Sequence, residues 1–341
     1  MNKNFRLRFL DSQSGNPKWI KLVAIGVIFA LCGSVAEAQQ QAKIQKVGWL
    51  APGSLASGVD REFLGRVLRP LGYFDGKNIA IEFRYADSKL DRLPALAKEL
   101  VDLKVDVLVA STTPVALAAK NATRTIPIVF FRVSDPIAVG LIDSLARPGG
   151  NITGLTDIGA VLAGKRLELL KETVPKVSRV AVLWDPQNPA SAQEWKESQL
   201  VARELGLQLH SMAVSNADRY ESAFKEATKA RSGALAVTGN SLAVANRKQI
   251  AELAIKNRLP AIYHRDVFVA SGGLMSYGPD QAEQDRRLAV MIDKILKGTK
   301  PSEIPTEQPM RFDFIVNLNA AKQIGLTFPP NVLVRAQKVI R

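Results

Sequence analysis

The sequence predicts an α/β protein made of two similar halves, each built around a parallel β-sheet. Short apolar runs alternate with longer stretches of helical periodicity along most of the 341 residues. The predicted strands of the first half begin at residues 46, 78, 106 and 127, and those of the second half begin near 180, 207, 234 and 260, so the spacing repeats. The length and the 47% hydrophobic content suit two folded domains.

The first 38 residues have the features of a secretory signal peptide. Five basic residues precede an uncharged apolar run, 22–33, and the small-residue sequence Ala36-Glu37-Ala38 follows it. The run is too short for a permanent membrane span. We therefore expect export to the periplasm and cleavage after about Ala38. Because the segment carries five basic and two acidic residues, its removal lowers the net charge from +14 to about +11.

The only cysteine, Cys32, lies in the apolar run, so the mature chain is expected to have no disulfide and no thiol chemistry. Leu31 precedes it, where a lipid-anchored protein usually has a small residue, and no lipid anchor is predicted. Basic residues are spread along the predicted helices without a run of five. This pattern indicates a mildly cationic, solvated surface and no nucleic-acid partner.

The first half is predicted to contain five strands and four helices. The strands are 46–50, 78–84, 106–110, 127–131 and 151–155, and the helices are 59–71, 91–103, 114–121 and 137–145. The sequence from Arg147 to Asn151 contains Pro and two Gly residues, which predicts a turn before the last strand.

The second half repeats this plan. Its strands are predicted at 179–184, 207–214, 234–238 and 260–263, and its helices at 165–172, 190–205, 217–230 and 242–257. The C-terminal part adds a strand within 272–279, a helix at 280–297, a strand at 311–317 and two short helices. Because these elements do not complete a third copy, we expect the chain to cross back between the two halves.

Three classes of enzyme site lack their sequence signatures. The loop after the first strand does not have the glycine spacing of a dinucleotide site, and no P-loop or Gly-x-Ser-x-Gly motif occurs. Two histidines are available for a metal: His210 alternates within a predicted strand and is interpreted as structural, whereas His264 ends a strand and is open to a structural or a pocket role. We predict a protein with no enzymatic activity, cofactor or metal.

Polar side chains recur in the loops after the predicted strands, at the edge where parallel sheets bind ligands. The candidate ligand-binding residues are Ser54, Thr112, Thr113, Ser134 and Asp135 in the first half and Asp185, Asn188, Asn240 and Arg265 in the second. Helix capping is a simpler explanation for each loop, because Ser, Thr, Asp and Asn are favoured N-caps and Pro114 and Pro136 suit a first helical turn. Free N–H groups at helix N-termini favour anions, so hydroxyl groups beside them suit a carboxylate.

Six further segments occur in an informative order. They are GYFDGKNI at 72–79, RLPALA at 92–97, PIVF at 127–130, SDP at 134–136, ARPGGNITG at 146–154 and GLMSYG at 273–278. In this order they resemble the ABC-transporter substrate-binding family that includes TrpX-like tryptophan-binding proteins. The resemblance extends from about residue 46 to the C-terminus. It implies a type I periplasmic binding protein, in which two Rossmann-like lobes with parallel sheets, joined by three crossovers, close on a ligand.

The resemblance also implies domain boundaries. After a signal peptide at 1–38, one lobe would comprise 43–157 plus 275–308 and the other 158–274 plus 309–341. The crossovers would lie near 156–159, 272–277 and 307–311. The residues expected to hold a ligand carboxylate are Thr112, Thr113, Ser134 and Asp135. The residues expected to meet the amino or distal group are Asp185, Asn188, Asn240 or Arg265.

The function implied is that of a periplasmic solute-binding component of an ABC importer for an amino acid or aromatic acid. Such a protein would act as a monomer that docks on the membrane subunits of an ABC permease. Tryptophan itself does not carry over, because ligands vary within the family. One alternative stays open at this point: a periplasmic sensor that presents its closed form to a membrane receptor.

Overall fold

The computed structural model describes residues 44–53 and 61–341, so the predicted signal peptide and Ser54 lie outside the described residues. Both sheets described below belong to one compact unit, Ile44–Arg341. No helix within the described ranges is long and apolar enough to cross a membrane.

The first half of the chain forms a five-stranded parallel sheet with helices on both faces. Its strands are β1 (Gln45–Ala51), β2 (Ile79–Tyr85), β3 (Val107–Ser111), β4 (Ile128–Val133) and β5 (Ile152–Thr156), and its helices are α1 (Arg61–Leu68), α2 (Leu93–Asp102) and α3 (Thr113–Ala122). The spatial order is β2-β1-β3-β4-β5. Every residue of β3 and β5 is buried, as expected for strands that are covered on both faces.

The second half forms a seven-stranded sheet. Its strands are β6 (Arg179–Trp184), β7 (Gln208–Ala213), β8 (Ala234–Val237), β9 (Ala261–Tyr263), β10 (Met275–Pro279), β11 (Phe312–Asn317) and β12 (Lys338–Ile340). The helices from this point of the chain onward are α4 (Gly159–Thr173), α5 (Pro189–Glu204), α6 (Tyr220–Lys229), α7 (Ser241–Ala245), α8 (Arg247–Lys256), α9 (Asp266–Ala270), α10 (Gln281–Leu296), α11 (Leu318–Ile324) and α12 (Pro330–Leu333). The order is β12-β11-β10-β9-β8-β6-β7, and β11 runs antiparallel to β10.

The predicted internal repeat is confirmed by the strand orders. The order β7-β6-β8-β9-β10 in the second sheet is the same arrangement as β2-β1-β3-β4-β5 in the first, and β11 and β12 extend the second sheet beyond the repeat. Each sheet therefore has a topological switch point, between β1 and β3 and between β6 and β8. Ligands of open parallel sheets bind beyond the carboxyl ends of the strands at such a point.

The chain crosses between the sheets three times. The first crossover joins β5 to α4, and the third follows Glu307, whose backbone N–H donates to the Gly154 carbonyl at 3.0 Å. These two positions agree with the predicted segments 156–159 and 307–311. The second crossover joins β10 to α10, whose residues Leu288 and Ile292 pack in the same core as Trp49 of β1.

The prediction that the first lobe resumes at residue 275 is wrong. β10 pairs with β9 on one side and with β11 on the other, so residues 275–279 belong to the second sheet. We therefore propose lobe 1 as 44–157 plus 280–308 and lobe 2 as 158–279 plus 309–341, and these names are used below.

Some local elements also differ from the sequence-based expectation. The predicted helix at 137–145 is a series of turns, because the Asp135 carboxylate accepts a hydrogen bond from the Ala138 N–H and Gly140 adopts a left-handed φ of 67°. The predicted helix at 242–257 divides at Asn246 into α7 and α8. The short elements α9 and β12 were not predicted.

Candidate ligand-binding site

A cavity of about 100 Å³ lies at the carboxyl ends of the strands and is lined by both lobes. We call it the interlobe cleft. Its lining residues in lobe 1 are Ala51, Pro52, Gly53, Ser111, Thr112, Thr113, Arg132, Ser134 and Asp157. Its lining residues in lobe 2 are Asn188, Ala190, Gly239, Asn240, Ser241, Val244, His264 and Arg265. The cleft therefore lies at the two switch points, and its residues come from seven strand ends.

The loop after β3 presents two free hydroxyl groups at the start of α3. Thr112 is the N-cap residue and Pro114 lies in the first turn, but no side chain caps the helix. The Oγ1 atoms of Thr112 and Thr113 are buried and have no hydrogen-bond partner among the described residues. Helix capping, the simpler explanation considered for each loop, is therefore wrong for these two hydroxyl groups. These hydroxyl groups are available to a ligand, beside N–H groups that favour an anion.

The backbone of this loop is strained. Thr112 has φ 78° and ψ 159°, a region that is almost confined to glycine. The conformation is held by the Thr112 N–H, which donates to the Phe131 carbonyl at 2.7 Å. Its cost is of order 1–3 kcal/mol, and such strain concentrates at binding and catalytic sites.

A second strained residue, Arg132, lies in a β-bulge near the end of β4. The pairing of β4 with β5 shifts register between Phe131 and Val133, and Arg132 between them has φ 58°. A bulge redirects the side chain it carries. The Arg132 guanidinium lies over the Phe131 ring at 4.4 Å and contacts Asp285 at 3.5 Å. Burial, and then the nearby charge of Arg265, lower the pKa of Arg132 to about 9.

The first crossover places a carboxylate beside the cleft. Asp157 Oδ1 accepts hydrogen bonds from the Ser134 hydroxyl and the Gly159 N–H, both at 3.0 Å. Ser134 is 7% exposed and lines the cleft, and its hydroxyl already donates to Asp157. No hydrogen bond to Asp157 Oδ2 occurs in the described part of the chain, which leaves this oxygen free to accept one from a ligand.

In lobe 2, two predicted site residues also cap helices. Asn188 accepts hydrogen bonds from the N–H groups of Ala190 and Ser191 at the start of α5. Asn240 accepts one from the Ala243 N–H at the start of α7. The capping explanation is therefore correct for these two side-chain oxygens. Both residues line the cleft. The Asn188 amide N–H groups remain for a ligand, whereas Asn240 Nδ2 already donates to the Thr238 carbonyl at 3.5 Å and has one further N–H.

Two predicted residues do not reach the cleft. Asp135 organises the turn after β4, as described above, and does not line the cavity. Asp185 is buried and accepts hydrogen bonds from the Ser215 hydroxyl at 2.6 Å and the Gln187 N–H at 2.9 Å. In both cases the acidic side chain closes a loop, which is neither the helix cap nor the ligand contact considered from the sequence.

Beneath the lobe 2 wall lies a buried ion pair. Arg166 and Glu194 are 4% and 1% exposed and are joined by a contact of 3.0 Å between Nη1 and Oε2. Glu194 Oε2 also accepts a hydrogen bond from the Gly239 N–H at 3.1 Å, so the pair supports a loop of the cleft. Burial raises the pKa of Glu194 to about 7, although the charge of Arg166 opposes this rise.

His264 and Arg265 complete the part of the cleft lining that lobe 2 contributes. Burial, followed by the charges of Arg166 and Arg265, lowers the pKa of His264 well below its usual value, so the ring is neutral. His264 Nδ1 and Arg265 Nε are buried without a hydrogen-bond partner in the described structure. His264, for which the sequence left a structural or a pocket role open, lines the cleft.

The sequence missed four charged residues of this region. Arg132 lies in the loop predicted after the strand 127–131, beside the candidates Ser134 and Asp135, but only the β-bulge explains why its side chain enters the cleft. Asp157 stood within the predicted first crossover, which is a signal that could have identified it. The Arg166–Glu194 pair joins two helices and has no signature in sequence spacing. Within the described residues, no group of three or more His, Cys, Asp or Glu side chains could hold a metal ion.

Several known proteins are similar to this chain in fold and in sequence. A tyrosine-binding protein from Clostridioides difficile is 28% identical over 261 residues, which is 76% of this chain and 75% of that protein. An ABC domain from Streptococcus pneumoniae, solved in complex with L-Trp, has a TM-score of 0.78 and 25% identity and covers 86% of this chain and 100% of its own. The ligand-free, open structure of a substrate binding protein with adhesive properties from Clostridium difficile has a TM-score of 0.63 and 26% identity over 87% of this chain and 99% of its own.

The two structural comparisons differ although their identities are similar. The higher TM-score belongs to the complex with L-Trp and the lower one to the open, ligand-free protein. This agrees with a cleft that both lobes line in the present structure. Residues 60–340 match the family described as ABC transporter substrate binding protein. The chain belongs to this family of substrate-binding proteins and has the type I periplasmic binding protein fold.

Proposed function

We propose that this protein is the periplasmic ligand-binding component of an ABC importer and that it captures a small molecule with a carboxylate group, an amino acid or an aromatic acid. The observation that carries the proposal is the pair of buried hydroxyl groups of Thr112 and Thr113, which have no partner among the described residues and stand at the start of α3. A carboxylate would accept hydrogen bonds from both. The relatives that bind tyrosine and L-Trp support this class of ligand.

The proposed mechanism is a change in population between open and closed lobes. The carboxylate binds lobe 1 at Thr112 and Thr113, and lobe 2 closes over it with Asn188, Asn240 and Arg265. Because these contacts exist only when the lobes meet, the ligand stabilises the closed form. The closed form then docks on the permease subunits, and no bond in the ligand is broken.

The direct test is a binding screen with matched ligand pairs. Each amino acid or aromatic acid is compared with its analogue that lacks the carboxylate, for example L-tyrosine with tyramine, first by thermal shift and then by isothermal titration calorimetry. A true ligand at 100 times its Kd stabilises the protein by about 2.7 kcal/mol. We expect binding by at least one acid and none by its partner. Equal binding of both members of every pair would contradict the proposal, and so would recovery of a chemically altered ligand.

Export and assembly have their own measurements. The mass of the protein isolated from a periplasmic fraction should correspond to a chain that begins at Gln39. Light scattering should give the mass of a monomer with and without ligand, and the liganded protein should be retained by membranes that contain its permease. A full-length cytoplasmic product would contradict the proposed location.

A further inference from the structure

Two arginine residues lie near the carboxyl ends of corresponding strands in the two lobes. β4 is the fourth strand of the repeat in lobe 1 and β9 is the fourth strand in lobe 2. Arg132 lies at the carboxyl end of β4 and Arg265 lies two residues after β9. Both side chains line the interlobe cleft, so the internal repeat brings one guanidinium to the cleft from each lobe.

These guanidinium groups are poorly matched by protein acceptors. The Arg265 side chain makes no hydrogen bond or ion pair among the described residues, and its buried Nε is one of the five N–H donors left without an acceptor. Arg132 has one carboxylate contact, to Asp285 at 3.5 Å, and its Nε has no partner in the described structure. The nearby charges of Asp157, Asp266 and Asp285 favour the charged form of Arg265, but burial still lowers its pKa.

The two positive charges come from opposite lobes. They are near enough for the charge of Arg265 to lower the pKa of Arg132. The carboxylates of Asp157, Asp266 and Asp285 lie near both groups and offset this repulsion, but only Asp285 makes a contact, with Arg132. Most guanidinium N–H donors therefore still lack an acceptor among the described residues, and an anion that lies near both groups would supply one. Arginine forks bind carboxylates in two-pronged geometry, which makes such an anion a carboxylate or a similar planar group.

The lining of the cleft does not suit a large aromatic side chain. No Phe, Tyr or Trp occurs among the described lining residues. Sites for aromatic ligands are lined mainly by hydrophobic and aromatic side chains. Here the lobe 2 wall consists largely of small and polar residues.

We infer that the ligand carries a second anionic group, which binds Arg132 and Arg265, and that the substrate class is therefore dicarboxylic, with acidic amino acids and short dicarboxylic acids as its members. This inference rests on the proposed function, because the first carboxylate is the one placed at Thr112 and Thr113. The second anion links the lobes directly, so a dicarboxylate stabilises the closed form more than a ligand with one carboxylate does.

The first test uses the unaltered mature protein. Calorimetry measures binding of L-glutamate, L-aspartate, glutarate and succinate, and compares them with L-glutamine, L-asparagine, L-tyrosine and L-tryptophan. We expect an acidic ligand to bind about 10- to 150-fold more tightly than its amide, the range for a hydrogen bond to a charged group. Tighter binding of tyrosine, tryptophan or an amide than of every dicarboxylate overturns the inference and leaves the proposed function intact. Failure of every carboxylate to bind overturns both.

The second test assigns the effect to the arginine pair. Arg132→Met and Arg265→Met should each weaken binding of the preferred dicarboxylate by about 10- to 150-fold and reduce its advantage over the amide. Arg203→Met, at an exposed position in the last turn of α5, is the control and should leave both unchanged. Circular dichroism establishes that each variant is folded. Arg265→Lys keeps the positive charge but loses the two-pronged hydrogen bonding of the guanidinium group, so its affinity for the dicarboxylate should be intermediate. If folded Arg132→Met and Arg265→Met retain the full preference for the acid, the inference is wrong.

Discussion

Substitution of Thr113 by valine separates a ligand-binding role from a structural one, because the two roles predict opposite effects on stability. The Thr113 side chain is 1% exposed and its Oγ1 has no hydrogen-bond partner in the described part of the protein. Valine has nearly the same shape but no hydroxyl group. Burying an unpaired polar group costs about 1–3 kcal/mol, so its removal should leave the free energy of unfolding of the ligand-free protein unchanged or raise it by up to that amount.

The affinity should change in the other direction. A hydrogen bond to a charged group contributes about 1.5–3 kcal/mol, so the Kd for the carboxylate ligand should rise about 10- to 150-fold. Urea unfolding monitored by circular dichroism measures the first quantity, and isothermal titration calorimetry measures the second. Combining Thr112→Val with Thr113→Val should weaken binding further while the fold is retained.

A matched control lies in the same lobe. The Thr153 side chain is fully buried, and its hydroxyl donates to the Ile304 carbonyl at 2.7 Å. Thr153→Val should therefore lower the free energy of unfolding by about 1–3 kcal/mol, because the carbonyl loses its partner, and should leave the Kd unchanged. The reasoning is refuted if Thr113→Val behaves like this control, with reduced stability and normal affinity.

Three further predictions concern the buried ion pair and the first crossover. Since the pKa of Glu194 is raised in the folded protein, its contribution to stability is present below pH 4.5 and is lost as the pH rises to about 7. Glu194→Gln should reduce this decline of the free energy of unfolding, by of order 1–3 kcal/mol in unfolding experiments from pH 4 to 8. An unchanged pH profile would argue against this prediction. Arg166→Met leaves Glu194 buried without its partner and should lower the free energy of unfolding by about 3–5 kcal/mol. A decrease of less than about 1 kcal/mol would mean that the ion pair is not buried in solution. At Gly159, a β-carbon would lie 2.5 Å from Ser134 Oγ in lobe 1 and 2.6 Å from Glu194 Oε1 in lobe 2. Gly159→Ala should therefore hinder closure of the lobes at a cost of about 1–3 kcal/mol and raise the ligand Kd about 5- to 150-fold. Normal affinity would show that closure does not bring these atoms together.

Much of the architecture could be predicted because its causes are local or periodic. Buried parallel strands are continuous apolar runs, such as VLVAS in β3, and helices on both faces of the sheet follow from them. The repeat of strand spacing predicted the repeat of strand order. The second crossover was misplaced because the sheet to which β10 belongs is decided by its pairing with distant β9 and β11, which local sequence does not reveal.

The site was predicted less completely, and the reason is geometric. Residue type identified Thr112, Thr113, Asn188, Asn240 and Arg265 as cleft candidates, and the cleft contains all five. Residue type could not separate these from Asp135 and Asp185, whose carboxylates close loops. It also could not decide which hydroxyl groups cap a helix, because capping depends on the backbone conformation.

Arg132 shows a third limit of the sequence. Its entry into the cleft depends on a bulge between Phe131 and Val133 and on a left-handed φ, which no local sequence rule predicts for arginine. Strained positions at the ends of β3 and β4 are thus the part of the site where the fold overrides local preference. These are also the positions where we place the ligand.

The most direct test of the proposed binding mode is a crystal structure of the mature protein with the acid that binds most tightly in the calorimetric screen. We predict that the ligand lies in the interlobe cleft in contact with both lobes, with one carboxylate oxygen about 2.5–3.0 Å from Thr113 Oγ1. A ligand bound outside this cleft, or one whose carboxylates make no contact with Thr112 or Thr113, would contradict the account.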